Sequence, residues 1–75
     1  MTYKELSALL RTNKVVCVLD NFYEVAVKFT PADESYTTEI KHKGRTSAQI
    51  PRESESVIDT IMNGEVITEK EYDEY

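Results

Sequence analysis

Tyr3, Leu6, Leu9 and Leu10 recur at helical spacing, and Lys4, Ser7 and Arg11 fall on the opposite face. Thr2 and Glu5 have the spacing of a capping box, in which the threonine oxygen accepts from a free backbone N–H and the glutamate reaches back. This pattern predicts a helix over about 3–12. The next apolar block, Lys14 to Leu19, reads KVVCVL. It is too short for a helix and rich in β-branched residues, so it predicts a strand buried on both faces or nearly so. Asp20-Asn21 supplies turn chemistry. From Tyr23 to Phe29 the chain alternates: Tyr23, Val25, Val27 and Phe29 on one face, Glu24, Ala26 and Lys28 on the other. That predicts a half-buried strand, paired in a hairpin with the strand before it.

Residues 30–35 read as a loop that holds the acids Asp33 and Glu34. Tyr36 to Lys43 alternates again, with Tyr36, Thr38, Ile40 and His42 on one face. Lys43-Gly44-Arg45 turns the chain, and Thr46 to Ile50 returns. This second hairpin is polar and is expected at a sheet edge, where lysines discourage pairing with another chain. Pro51 fits the opening of a helix, and Glu53 and Glu55 suit its positive N-terminal end. Val57, Ile58, Ile61 and Met62 form its apolar stripe, and Asn63-Gly64 stops it. Glu65-Val66-Ile67 suits a short strand. Thr68 and Glu71 form a second capping box before an acidic helical turn that sets Tyr72 and Tyr75 on one side. The expected fold is α+β: an antiparallel meander of about four strands with an N-terminal and a C-terminal helix packed on one face. The 75 residues make one domain, 1–75, with an acidic tail at 65–75.

Charge changes this picture. The net charge is -5, but it is unevenly spread. Lys41, Lys43, Arg45 and Arg52 stand in a segment, 41–52, without a single acid. From 53 onward, Lys70 alone faces eight Asp and Glu residues. Such polarity disfavours general binding to nucleic acid, whose phosphates need a dominant basic face, and favours a basic partner. The lone Cys17 cannot form an internal disulfide, and its apolar neighbours make it a core thiol. Small secreted domains usually carry several bridges, so a cytoplasmic setting is expected. No apolar run approaches the length of a membrane span, so no membrane association is expected.

Catalytic chemistry finds little support. His42 is the single histidine and stands between two lysines. The two glycines are isolated, so no phosphate-binding loop exists. Carboxylates are plentiful but nothing pairs them in a raised-pKa environment. No enzyme activity, cofactor or metal site is expected. The acids that remain, Glu65, Glu69, Glu71, Asp73 and Glu74, can stand in for phosphates on a partner's Arg/Lys groove. Tyr72 and Tyr75 would add aromatic contact area. An alternative surface is the basic hairpin, where Lys41, Lys43 and Arg45 would bind nucleic acid. A third possibility is a homo-oligomer in which one copy's hairpin meets its neighbour's tail.

The helix YKELSALL, the strand KVVCVL, the helix RESESVIDTIMNG and the tail TEKEYDEY resemble, in their order, small acidic phage-encoded inhibitors of the anti-CRISPR type. The resemblance implies a short N-terminal helix, a small antiparallel sheet and an acidic end that occupies a site meant for DNA. It implies a CRISPR effector nuclease in the host cytoplasm as the target, with Glu65, Glu69, Glu71, Asp73 and Glu74 as the mimicking acids. The basic hairpin departs from such a mimic. The opening KELSALLRTNKVVCVL also looks like small phage domains with an SH3-like barrel, through a helix followed by a strand. The residues themselves point to a protein-binding inhibitor or adaptor, a monomer or weak homo-oligomer, acting on a basic host protein such as a nucleic-acid enzyme.

Overall fold

The computed structural model describes residues 2–32 and 35–75. The expected loop acids Asp33 and Glu34, and the Tyr3 side chain, lie outside the described residues. The elements run α1 (Tyr3–Leu10), β1 (Val16–Asp20), β2 (Val25–Ala32), β3 (Ser35–His42), β4 (Ala48–Gln49), α2 (Glu55–Asn63), β5 (Glu65–Ile67) and α3 (Glu69–Glu74). The strands form one antiparallel sheet in the order β4-β3-β2-β1-β5. The α+β meander expected from the alternation is therefore present. The fifth strand pairs with β1 on the edge opposite the polar hairpin.

Pleat alternation sorts the sheet's two faces. On one face, cross-strand neighbours Val66, Val18, Val27, Ile40 and Ala48 form a row, and Val16, Phe29 and Thr38 form the next. Against these rows pack Leu6 of α1 and Val57 and Ile61 of α2, which close the main core. Both helices share this face, as the apolar stripes predict. In α2, however, Thr60 is buried and Met62 is exposed. The helix also starts later than an opening at Pro51 implies. Ser54 takes the N-cap position, and its hydroxyl donates to the Pro51 carbonyl at 2.9 Å rather than capping.

The opposite face carries the rows Ile67–Cys17–Lys28–Glu39–Gln49 and Glu65–Leu19–Ala26–Lys41. On this face α3 docks, with Tyr72 among Cys17 and Ala26 and with Val15, Leu19, Ile67 and Tyr75 around them. This corrects the half-buried reading of β2. Ala26 is fully buried because the tail folds back onto the sheet and covers a second face.

Local geometry explains the remaining differences. β2 and β3 reach into the expected loop from either side, with Pro31 opposite Tyr36. Pro31 lies beyond Phe29, the last β2 residue paired with β1, so its missing N–H falls where β2 has lost that neighbour. Tyr23 belongs to the turn rather than to the strand. The turn 21–24 is closed by Asp20, whose Oδ1 accepts from the N–H of Phe22 at 3.0 Å and of Tyr23 at 3.4 Å, and by Glu24 at φ 54. Gly44 supplies a φ of 73 in the β3–β4 turn, where a side chain is strained.

Gly64 ends α2 for a reason other than a left-handed cap. Its φ is -95, within reach of any residue. A Cβ there would lie 2.5 Å from the Thr60 carbonyl oxygen and 2.7 Å from Val18 Cγ1, so only glycine lets α2 approach β1 this closely. No helix among the described residues is long and apolar enough to cross a membrane.

Candidate interaction surface

The acidic end starts as a well-capped helix. The Thr68 side chain accepts from the Glu71 N–H at 3.1 Å, and Glu71 Oε1 accepts from the Thr68 N–H at 3.0 Å. Both halves of the predicted box are thus made. The equivalent box at α1 is half made: Thr2 accepts from the Glu5 N–H, while the Glu5 carboxylate meets the Thr2 hydroxyl instead of the backbone. A helix of six residues cannot hold itself in water, so α3 depends on tertiary contact.

That contact centres on Tyr72, which is 2% exposed. Small Cys17 and Ala26 leave room for its ring over β1 and β2. Lys28 Nζ and Lys41 Nζ lie 5.6 and 5.8 Å from the ring centroid, within cation–π range. The phenol oxygen is 2.6 Å from Ser47 Oγ, and Ser47 donates to Glu39 Oε1 at 3.1 Å. Lys41 Nζ donates to the carbonyls of Tyr72 at 3.0 Å and Asp73 at 2.7 Å, closing the C-terminal end of α3 with a positive charge. The Gly44 N–H donates to the Tyr75 carbonyl at 3.1 Å.

The basic hairpin and the acidic tail therefore meet within one chain. Lys41 of the hairpin fastens the tail, so of the three residues expected to contact nucleic acid only Lys43 and Arg45 are exposed. Among the tail residues expected to contact a partner, Tyr72 faces inward and Tyr75 is half-buried. Glu69 is paired with Lys28 at 3.3 Å, and Glu71 is engaged in the cap. Glu65, Asp73 and Glu74 are exposed and have no ion-pair partner among the described residues.

Protonation follows from this packing. Burial pushes the Cys17 thiol up to about 11, so it stays protonated at neutral pH. Burial also raises the Tyr72 and Tyr75 phenols, against the opposing effect of the hydrogen bond shared with Ser47 in the case of Tyr72. Burial works against the charge of Lys28, but the hydrogen bond and charge of Glu69, with Asp73 and Glu39 nearby, outweigh it and raise its pKa. Backbone and side-chain hydrogen bonds from Thr68 hold the Glu71 carboxyl below its ordinary value.

No family model, curated protein or solved structure matches the chain.

The alternation pattern concealed two features. Phe22 is 84% and Tyr23 66% exposed, packed edge to face with centroids 4.8 Å apart on the β1–β2 turn. A hydrogen bond from the Lys43 N–H to the Glu24 carbonyl, 3.1 Å, sets the basic turn beside this aromatic one. In sequence the only signal was two aromatics directly after the turn residues Asp20-Asn21. Asp20 itself is buried, with Oδ2 unpaired.

Proposed function

We infer that the chain is a non-enzymatic protein-binding inhibitor or adaptor that offers its acidic C-terminal surface to a basic, nucleic-acid-binding protein. The observation that carries this reading is the docking of α3 through Tyr72. A solvated tail offers diffuse charge. A helix pinned at both ends presents Glu71, Asp73 and Glu74, with Glu65 on the adjoining β5, in a fixed arrangement, as recognition of a patterned basic groove requires. CRISPR effector nucleases are one class of protein with such a groove. The hairpin–tail contact that would join two copies is already made within one chain, which favours a monomer.

The test compares the intact chain with a variant carrying Glu65→Gln, Glu71→Gln, Asp73→Asn and Glu74→Gln. Glutamine at 71 retains the capping box while removing the charge. The intact chain should capture a nucleic-acid-binding protein from a bacterial lysate at low salt, and duplex DNA should compete for it. The variant, shown folded by circular dichroism, should lose that capture. Equal capture by both chains, or none by either, refutes the acidic surface.

A further inference from the structure

A cleft of about 480 Å³ opens between α2 and the β1–β2 turn, on the face of the sheet opposite α3. Asp20, Tyr23, His42, Ser56, Asp59 and Asn63 line it, with Val25 and Thr60 completing its wall. Its volume falls in the range of small-ligand sites. Asp20 closes the end of β1 and is 3% exposed. Its Oδ1 is occupied by the turn amides of Phe22 and Tyr23, but Oδ2 has no hydrogen-bond partner. A buried carboxylate oxygen without a donor is costly, and such groups in native proteins call for an explanation.

Two of the neighbouring donors are already committed. The Thr60 hydroxyl donates to the Ser56 carbonyl at 2.8 Å, and Asn63 Nδ2 donates to the Asp59 carbonyl at 3.0 Å. Three acceptors in the cleft have no side-chain donor, Asp20 Oδ2, the Asp59 carboxylate and the carbonyl oxygen of the Asn63 side chain, with the His42 ring and the Ser56 hydroxyl at its polar edge. Beside them stands the exposed face of Tyr23, its ring set by the edge-to-face contact with Phe22 at 84°. No group of three or more His, Cys, Asp and Glu side chains suited to a metal ion occurs among the described residues. The complement of two carboxylates, a carboxamide oxygen and an aromatic face is a flat organic cation with several N–H donors.

We propose that this cleft is a binding site for a guanidinium group. The ligand's N–H donors reach Asp20 and Asp59, and its plane lies against Tyr23. The site stands apart from the C-terminal surface, because no residue of α3 lines it.

The experiment is a titration of the full chain, labelled with nitrogen-15, at constant ionic strength. The probe is acetyl-arginine amide, with acetyl-citrulline amide as its neutral counterpart and acetyl-lysine amide as a compact cation. Saturable shifts at the amides of Tyr23, Asp59 and Asn63 are expected with the arginine probe and not with citrulline. Asp59→Asn, at an exposed position, should weaken binding about tenfold, the loss of one charge-assisted contact. Asp20→Asn should do the same while keeping the turn, since an asparagine oxygen accepts the same two amides. Arginine within acetyl-Gly-Arg-Gly-amide, compared with free methylguanidine, separates a protein side chain from a small metabolite as the source.

Three results overturn the proposal. One is shifts spread over Glu65, Glu71, Asp73 and Glu74 that Asp59→Asn leaves unchanged. Another is equal response to lysine or to magnesium ions. The third is no saturation by the arginine probe. The four-fold neutralised C-terminal variant should bind the probe as the intact chain does, so failure here and failure of the acidic surface are distinct outcomes.

Discussion

Tyr72 and Ser47 are joined across the fold, the phenol oxygen 2.6 Å from the serine Oγ. The bond links the C-terminal helix to the turn of the polar hairpin, 25 residues earlier. Ser47 keeps a second partner in Glu39, so Tyr72→Phe forfeits one bond and strands no buried group on the serine side. The expected cost is about 1 kcal/mol in a urea titration. Tyr72→Ala removes the ring itself, a change of about 3–5 kcal/mol for a buried aromatic. A domain this small has little reserve, so the alanine variant should expose the α3 amides to hydrogen exchange even where the rest stays folded.

Cys17 reports on the same docking. It lies beneath Tyr72, buried and protonated at neutral pH. Alkylation by iodoacetamide at pH 7.5 should be at least ~100-fold slower in the native chain than in urea, because only an exposed thiolate attacks. Tyr72→Ala should recover much of the unfolded rate. A native thiol that reacts freely would mean that α3 does not cover β1.

Gly64 tests how closely α2 meets the sheet. A methyl group there would collide with the Thr60 carbonyl, the Leu19 carbonyl and the Val18 side chain, two of which are backbone. Gly64→Ala should therefore destabilise by about 1–3 kcal/mol although its φ is ordinary. Gly44→Ala should also destabilise, but through backbone strain alone, since nothing lies within 4 Å of the added carbon. Urea midpoints of the two variants, with unchanged slopes, check both.

Stability should fall on the alkaline side. Cys17, Tyr72, Tyr75 and Lys28 all hold their protons more tightly in the folded chain than in the unfolded one. Their contribution is complete below the unfolded values and is lost as pH rises through the folded ones. For Cys17 that window runs from 9.0 to about 11. The Cys17 proton adds a slope of up to about 1.4 kcal/mol per pH unit within that window. Urea midpoints measured from pH 8 to 11 should decline, and Cys17→Ala should flatten the first part of the decline.

Glu71 acts at the other end of the scale. Its carboxyl lies below the ordinary 4.5, so its contribution is present above that value and is lost as pH falls through the folded pKa. Protection factors of the α3 amides against hydrogen exchange, corrected for the intrinsic rate at each pH, should fall in acid, and Glu71→Gln, which keeps the box, should remove its share of that dependence.

Much of the fold was legible because it rests on local rules. The alternation of Val25, Val27 and Phe29, the stripe of Leu6, Val57 and Ile61, and the Thr68 box each follow from neighbours within a few residues. Even the short strand at Glu65–Ile67 showed as an apolar pair between a helix stop and a cap. The tail was harder. Its charges are visible in sequence, but Tyr72 and Tyr75 look alike there. Only register distinguishes them, by placing Cys17 and Ala26, two small residues, at diagonal positions of one sheet face to receive one ring.

By itself the sequence determined the fold class, the order of elements and the distribution of charge, since backbone periodicity and side-chain type are properties of the chain. Tertiary structure decided which charges remain outside. It turned Lys41 inward onto the carbonyls of Tyr72 and Asp73, set Lys28 against Glu69, and left Asp20 Oδ2 without a donor. Those pairings join residues 31 to 41 positions apart, and no local pattern records them. They exist because the sheet brings distant rows within a few ångströms, where one small side chain or one free carbonyl determines what its neighbour can do.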